Sequence, residues 1–210
     1  DLPVFQDGHV KHDRGVVARI VDAIDPRPGQ AIVEIGPGRA ALTGALIQRA
    51  GHIRAIEIDR DLAAALRERF SSGELSLIEA DALGIDWTSL AAVPLRIVGN
   101  LPYNISTPLL FALLPIAESV IDQHFMLQKE VVDRMVAPPG SKTYGRLSVM
   151  LQFRYRLTKL CDVPRGAFTP APQVTSSLVL MQPRAVTELP EIDAESVARV
   201  VATAFGQGRK

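Results

Sequence analysis

The stretch from residue 31 to residue 50 constrains the fold most. Residues 31–35 form a short apolar run typical of a buried strand, Gly36-Pro37-Gly38 follows, and residues 40–50 show a helical pattern. A strand, a glycine-rich turn and a helix bring backbone N–H groups close to a ligand. The stretch therefore predicts an α/β fold with a nucleoside site at the turn. Its fit to G-x-G-x-x-A does not distinguish nicotinamide cofactors from other nucleosides.

Three more apolar runs, residues 54–58, 75–78 and 95–98, lead into polar side chains, namely Glu57, Asp81 and Asn100. In an open α/β sheet the carboxyl ends of the strands form the ligand crevice, so these side chains are predicted to be neighbours. Glu57 lies 19 residues after Gly38, close to the spacing of a carboxylate that binds ribose hydroxyls.

Both carboxylates also have a structural interpretation. The segment Glu57-Ile58-Asp59 is equally typical of the charged N-terminus and cap of a helix over residues 61–70. Asp81 is predicted to accept a hydrogen bond from an adenine amino group, and its alternative is an ordinary Asx-turn.

The segment Asn100-Leu101-Pro102-Tyr103 suits alkylation of an exocyclic amino group on a planar base. The Asn100 side-chain carbonyl and a main-chain carbonyl, held in place by Pro102, could accept both N–H bonds and turn the lone pair toward an electrophile. Tyr103 could stack on the base. The alternative is a strand followed by an Asn/Pro turn.

The remaining pattern alternates between helices and strands. Asp13 is predicted to cap a helix over residues 14–24. The last two strands are predicted to be antiparallel, because the loop between them contains no crossover helix. Further helices are predicted over residues 107–114, 129–136, 145–153 and 193–205, and further strands over residues 124–127, 155–163 and 176–181.

The stiff loop over residues 164–172 joins the last two strands and contains Phe168. An exposed aromatic ring there could clamp a base against Tyr103. The alternative is that Phe168 is a hydrophobic plug.

Composition narrows the class of protein. With 210 residues, 47% of them hydrophobic, the chain can bury one full core. No apolar stretch is long enough to span a membrane. Cys161 is the only cysteine, and His52 and His124 lack metal-ligand spacing. A reducing cytoplasmic location without disulfides or a metal site is therefore expected.

The formal net charge is zero, yet residues 129–165 contain eight basic and three acidic side chains. This local excess indicates either a solvated face or a surface that contacts phosphates. Under the second interpretation, Lys129, Arg146 and Arg165 are the RNA-contacting candidates.

Seven motifs together resemble the bacterial ribosomal small-subunit RNA adenine N6,N6-dimethyltransferase (KsgA) family, and the resemblance extends almost continuously over residues 12–185. The motifs are Glu34-Ile-Gly-Pro-Gly38, Glu57-Ile-Asp59, Asp81-Ala82, Gly99-Asn-Leu-Pro-Tyr-Asn104, His124-Phe-Met-Leu-Gln-Lys129, Tyr144-Gly-Arg-Leu-Ser-Val149 and Phe168-Thr-Pro-Ala-Pro172.

The resemblance implies a class I S-adenosylmethionine-dependent methyltransferase: an α/β, Rossmann-like fold with a seven-stranded mixed sheet. The implied substrate is two adjacent adenosines near the 3′ end of the 16S RNA, within the pre-30S subunit. A monomer without membrane or metal partners is expected. The expected organisation is an incomplete arm over residues 1–13, the methyltransferase domain over residues 14–185 and the start of a truncated C-terminal helical domain over residues 186–210.

The resemblance also implies roles for individual residues. Gly36 and Gly38 would approach the methionine end of S-adenosylmethionine, Glu57 would hold the ribose hydroxyls with Ile58 beside it, and Asp81 with Ala82 would bind the adenine. Asn100 would border both ligands. Asn100 and the Leu101 main chain, followed by Pro102, would hold the target amino group, while Tyr103 and Phe168 would stack on the base.

The chain departs from the family pattern at both ends. In the arm, Lys11 is followed directly by His12-Asp13, where the family has a further segment that closes over the cofactor. We expect that segment to be missing from the sequence rather than deleted, which would separate residues 11 and 12 by more than one peptide bond. The family also continues beyond Lys210 into a small helical domain.

Three classes of function remain open. The first is an RNA-modifying enzyme that dimethylates small-subunit ribosomal RNA, with a minor variant that modifies large-subunit RNA and confers antibiotic resistance. The second is a ribosome-assembly factor whose main role is binding. The third, suggested only by the glycine turn, is a nicotinamide-dependent dehydrogenase.

Overall fold

The computed structural model describes residues 13–91, 93–167, 174–190 and 194–206. The junction of Lys11 with His12, and Phe168, therefore lie outside the described residues. The helices are α1 Arg14–Ile24, α2 Thr43–Ala50, α3 Arg60–Arg69, α4 Trp87–Leu90, α5 Tyr103–Ala112, α6 Lys129–Met135, α7 Arg146–Arg154 and α8 Ala194–Gly206. The strands are β1 Ala31–Ile35, β2 Ile53–Glu57, β3 Leu75–Glu79, β4 Leu95–Asn100, β5 Val120–Gln128, β6 Tyr155–Val163 and β7 Ser176–Pro183.

The seven strands form one sheet in the order β3-β2-β1-β4-β5-β7-β6. The first five strands pair in parallel, and β7 runs antiparallel to both β5 and β6. This confirms the predicted seven-stranded mixed sheet and the antiparallel arrangement of the last two strands. Because β6 is parallel to β5, both end at the same edge as β1 to β4.

Helices cover both faces of the sheet because alternate strand residues are apolar on opposite sides. On one face, α1 and α2 pack on the sheet through a core that includes Ile20, Leu46, Ile53 and Val98. On the other face, α4 to α7 pack around Leu109, Val132, Leu151 and Ile97. Within the described residues, no helix is long and apolar enough to cross a membrane.

Helix α1, β1 and β6 have the predicted bounds, and the other predicted elements are present with shifted ends. Helix α2 begins at Thr43 rather than residue 40, because the glycine turn continues through Ala40, whose N–H donates to Pro37 O. Helix α5 begins at Tyr103 rather than residue 107, and it accommodates Pro108 in its interior. The short helix α4 was not predicted.

The amino end of the sheet is tied to α1 by one buried arginine. Arg96 on β4 is 6% exposed and binds Asp122 on β5 through two nitrogens, at 2.9 and 2.8 Å. The same guanidinium donates to the main-chain carbonyls of Ile24 and Asp25, where α1 ends, and to Gln30 Oε1 at 2.9 Å. One side chain therefore satisfies a helix end, a loop and a partly buried carboxylate.

Replacing Arg96 with Ala should destabilise the protein by about 3–5 kcal/mol, because Asp122 would keep a mostly buried and unpaired charge. Arg27→Ala is the matched control, since Arg27 pairs with Asp25 at an exposed site and such a pair contributes at most about 1 kcal/mol. Urea denaturation of both variants measures the difference. Equal losses would mean that the buried network adds nothing beyond an ordinary surface ion pair.

Candidate functional site at the carboxyl edge of the sheet

The parallel register brings the predicted site residues to one edge of the sheet. Ile35, the last residue of β1, is paired with Ile56 on β2 and Gly99 on β4. The glycine turn therefore leaves β1 between Glu57 and Asn100, which end the two neighbouring strands. A Cβ atom on Gly36 would lie only 4.0 Å from the main-chain oxygen of Asn100.

Gly99 permits this close approach of β4 to β1. A Cβ atom at Gly99 would lie 2.7 Å from the main-chain oxygen of Ile35 and 3.0 Å from Leu101 Cδ2, and the first distance is too short for any real side chain. Sequence reasoning quoted Gly99 in a motif but gave it no role. A glycine inside a strand, directly before a polar residue, is the signal that could have identified it.

The turn after β1 is held open toward the site by left-handed backbone. Gly36 and Gly38 have φ values of 65° and 55°, which glycine adopts without steric cost. The Gly36 N–H donates to Ile56 O on β2 at 2.9 Å, which anchors the turn to the sheet. Ala40 also has a left-handed φ of 62°, a conformation that costs a non-glycine residue about 1–2 kcal/mol.

Glu57 connects the glycine turn to the next loop. Its Oε2 accepts from the Gly38 N–H, and its Oε1 accepts from the Asp59 N–H, both at 3.0 Å. Capping of α3 is performed by Asp59, whose Oδ1 accepts from Asp61 and Leu62 N–H. The helix-cap role that the sequence left open for this segment therefore belongs to Asp59, and Glu57 is fixed with lone pairs to spare.

The segment after β3 lies beside the end of β2, because the Ala80 N–H donates to Glu57 O at 3.0 Å. Asp81 Oδ1 accepts from the Leu83 N–H at 2.9 Å, which is the Asx-turn considered from the sequence, and Ala82 O accepts from the buried Trp87 indole. Ile58 is 65% exposed and Leu83 is 39% exposed. Leu83, whose N–H donates to Asp81, was not among the predicted site residues, because a single leucine in a loop carries no motif.

The end of β4 and the first residues after it are exposed, apart from Leu101. Asn100 is exposed at the end of β4, whereas Leu101 is buried and its N–H donates to Met126 O on β5 at 3.1 Å. Pro102 caps α5, and Tyr103, its first residue, is 44% exposed. Within the described residues, neither the Asn100 side chain nor the Leu101 carbonyl has a hydrogen-bond partner. Asn100, which is exposed, is therefore available to a ligand, and the Leu101 carbonyl keeps its hydrogen-bonding capacity unused within the described residues.

Glu34 lies beneath the glycine turn and was not among the predicted site residues. It is 2% exposed on β1, and burial raises the pKa of its carboxyl to about 7, with the Thr43 hydroxyl opposing and the Glu57 charge adding to the increase. Its signal in the sequence was a carboxylate inside an otherwise apolar strand.

The three predicted RNA-contacting residues lie on separate elements. Lys129 follows the end of β5 and binds Asp133, and Arg165 lies two residues beyond the end of β6, at the same edge of the sheet. Arg146 begins α7, and its guanidinium carbon is 5.8 Å from the centroid of the Phe111 ring. Among the described residues, no group of three His, Cys, Asp or Glu side chains could hold a metal ion.

Comparison with known proteins adds independent evidence. The family model described as "Ribosomal RNA adenine dimethylase" matches residues 8–210. Two relatives, each named "Ribosomal RNA small subunit methyltransferase A", are 57% identical. The one from Aromatoleum aromaticum aligns with 94% of this chain and 74% of its own length, and the one from Methylibium petroleiphilum with 96% and 78%.

Solved structures agree with this assignment. A dimethyladenosine transferase from Plasmodium falciparum superposes with a TM-score of 0.81 at 28% identity, covering 96% of this chain and 72% of that one. The 23S rRNA methyltransferase ErmE superposes with a TM-score of 0.76 at 29% identity, covering 94% and 79%. Sequence and fold together show that this chain belongs to the ribosomal RNA adenine dimethylase family.

Proposed function

We propose that this chain transfers methyl groups from S-adenosylmethionine to N6 of two adjacent adenosines near the 3′ end of small-subunit ribosomal RNA. The observation that carries the proposal is the pair of acceptors at Asn100 and Leu101, which bond to none of the described residues and lie beside the glycine turn and Glu57. Family membership favours methyl transfer over the dehydrogenase interpretation of that turn. The partner is the pre-30S subunit in the cytoplasm, and the enzyme acts as a monomer.

The cofactor site is assigned to the ends of β1, β2 and β3. The left-handed turn at Gly36 and Gly38 leaves room for a ligand to approach the backbone, and Glu57 has spare lone pairs for ribose hydroxyls. Asp81 and Ala82, with the exposed Ile58 nearby, border a slot for the adenine. These residues fit S-adenosylmethionine, which supplies an electrophilic methyl carbon on its sulfonium.

The target base is assigned to the end of β4. The Asn100 side-chain oxygen and the Leu101 carbonyl would accept the two amino N–H bonds of the adenosine, which turns the nitrogen lone pair toward the methyl carbon. Tyr103 is exposed enough to stack on the base, and Phe168 is proposed to stack on its other face. Much of the acceleration then comes from alignment of the two reacting atoms.

The small-subunit substrate is favoured over a large-subunit one by similarity. The relatives named for the small subunit are 57% identical to this chain, whereas the structure named for 23S rRNA is 29% identical. The direct test is methyl transfer from labelled S-adenosylmethionine to unmethylated small subunits and, in parallel, to large subunits. Label in the large subunit alone would refute the assignment.

Replacing Asn100 with Ala should reduce methyl transfer by about 10²–10³, because one acceptor that acts in the transition state is lost. Cofactor affinity and the melting temperature should change little, since Asn100 is exposed and its side chain bonds no described residue. Single-turnover transfer to small subunits is the measurement, with the exposed amide variant Gln48→Ala as control. An Asn100→Ala rate above about a tenth of the wild-type rate would refute the proposed role of Asn100.

Replacing Glu57 with Ala should weaken cofactor affinity by about 10- to 100-fold, the equivalent of a charge-assisted hydrogen bond. The rate at saturating cofactor should change less, because ribose contacts are shared by ground and transition states. Titration calorimetry with S-adenosylmethionine measures the effect, and the exposed Glu68→Ala serves as control. Unchanged cofactor affinity would show that Glu57 does not bind the cofactor and acts only through its hydrogen bonds to the Gly38 and Asp59 N–H groups.

RNA binding should weaken steeply with salt, because each neutralised phosphate releases counterions. Lys129→Glu, Arg146→Glu and Arg165→Glu should each lower affinity and reduce the slope of log K against log salt by about 0.7–0.9. Arg27→Glu, near the amino end of β1, is the control. Filter binding to a small-subunit RNA fragment at several salt concentrations checks this, and a slope near zero for wild type would contradict it.

A further inference from the structure

Glu34 is a buried carboxyl group whose hydrogen bonds are incomplete. Among the described residues, its Oε2 atom has no hydrogen-bond partner, and the Oγ1 atom of Thr43, the first residue of α2, is close enough to lower the pKa of Glu34 but makes no hydrogen bond of normal geometry. Both side chains are almost completely buried, at 2% and 0% exposure. A native interior leaves few polar atoms unsatisfied, so two together at the edge of a ligand site indicate a function.

No cation among the described residues neutralises Glu34. Its cross-strand neighbours are Ala55 on β2 and Val98 on β4, and the charged group that acts on it is another carboxylate, Glu57. On α2, Arg49 pairs with Asp22, and on β4, Arg96 pairs with Asp122.

This environment disfavours a negative charge on Glu34 in the free protein. Desolvation and the nearby Glu57 both favour the protonated carboxyl. A positive charge brought to the glycine turn would reverse the balance, because charges attract strongly where water is excluded. The unpartnered Thr43 hydroxyl could then donate to the new carboxylate.

We propose that Glu34 holds a proton in the free protein and releases it when the cationic cofactor binds at the glycine turn. The carboxyl O–H bond breaks, the proton passes to solvent, and the carboxylate remains as counter-charge to the bound cofactor. Glu34 is thus a positioning residue that makes cofactor affinity depend on pH. The inference rests on the proposed function, because it requires that S-adenosylmethionine binds at this turn.

Calorimetric titration with S-adenosylmethionine at pH 6, in two buffers of different ionisation enthalpy, counts the protons released. The wild-type chain should release about nine-tenths of a proton, given a carboxyl that titrates near pH 7. The amino group of the cofactor does not contribute at this pH, since an α-amino group titrates near 7.7–8.0. Observed affinity should rise about fivefold from pH 6 to pH 7.

Glu34→Gln should bind without releasing a proton and should show no rise in affinity over this range. Glu68→Gln removes an exposed carboxyl and should behave as wild type. Cofactor binding without proton release, or release that persists in Glu34→Gln, would overturn this inference alone. Absence of cofactor binding by the wild-type chain would overturn the proposed function as well.

Thermal unfolding without cofactor provides a second measurement. Because the folded chain keeps the Glu34 proton where the unfolded chain has lost it, this residue makes wild-type stability fall as pH rises from about 4.5 to about 7. The difference in melting temperature between Glu34→Gln and wild type should therefore shift in favour of the variant as the pH rises from 5 to 7.5. A constant difference would show that Glu34 does not carry the proton.

Discussion

The contact between the ends of β1 and β4 is the constraint on which the site depends. Gly99 lies so close to the Ile35 carbonyl that any side chain would push the two strands apart. The strand that carries Asn100 therefore ends beside the turn that carries Gly36 and Gly38. The two halves of the proposed reaction, cofactor and base, are brought together by backbone packing rather than by a bond between their side chains.

Two buried ionisable residues at opposite ends of the strands illustrate how the chain separates stability from function. Arg96 at the amino end is fully engaged by a carboxylate, a glutamine and two carbonyls, so its charge is compensated within the protein. Glu34 at the carboxyl end has no cationic partner in the part of the chain that the structure describes. A buried carboxyl without a counter-charge keeps its proton, and its place beside the glycine turn allows it to respond to a ligand of positive charge.

Local patterns predicted much of this structure, and long-range packing decided what they missed. Asp13 and the apolar spacing after it fixed α1, and the parallel alternation fixed the edge at which Glu57 and Asn100 lie. The start of α2 was missed because the left-handed Ala40 has no signature in its side chain. The role of Gly99 depends on its contact with Ile35, which is distant in sequence, so the motif that contains Gly99 did not reveal it. The division into domains and the ligand contacts of the site residues remain predictions.

The position of β7 has a consequence for how the chain folds. Residues 176–183 lie between β5 and β6, so the two strands that flank β7 have no partners on that side until it is in place. During synthesis, the five parallel strands β1 to β5 can collapse first. Strand β6 has no paired edge until β7 has been synthesised. Pairing of β7 with β6 is local, whereas its pairing with β5 joins segments distant in sequence, so the edge of β5 stays open to aggregation until β7 docks. A growing chain would benefit from rapid synthesis of the segment just after β6, because this shortens the interval in which the sheet is open.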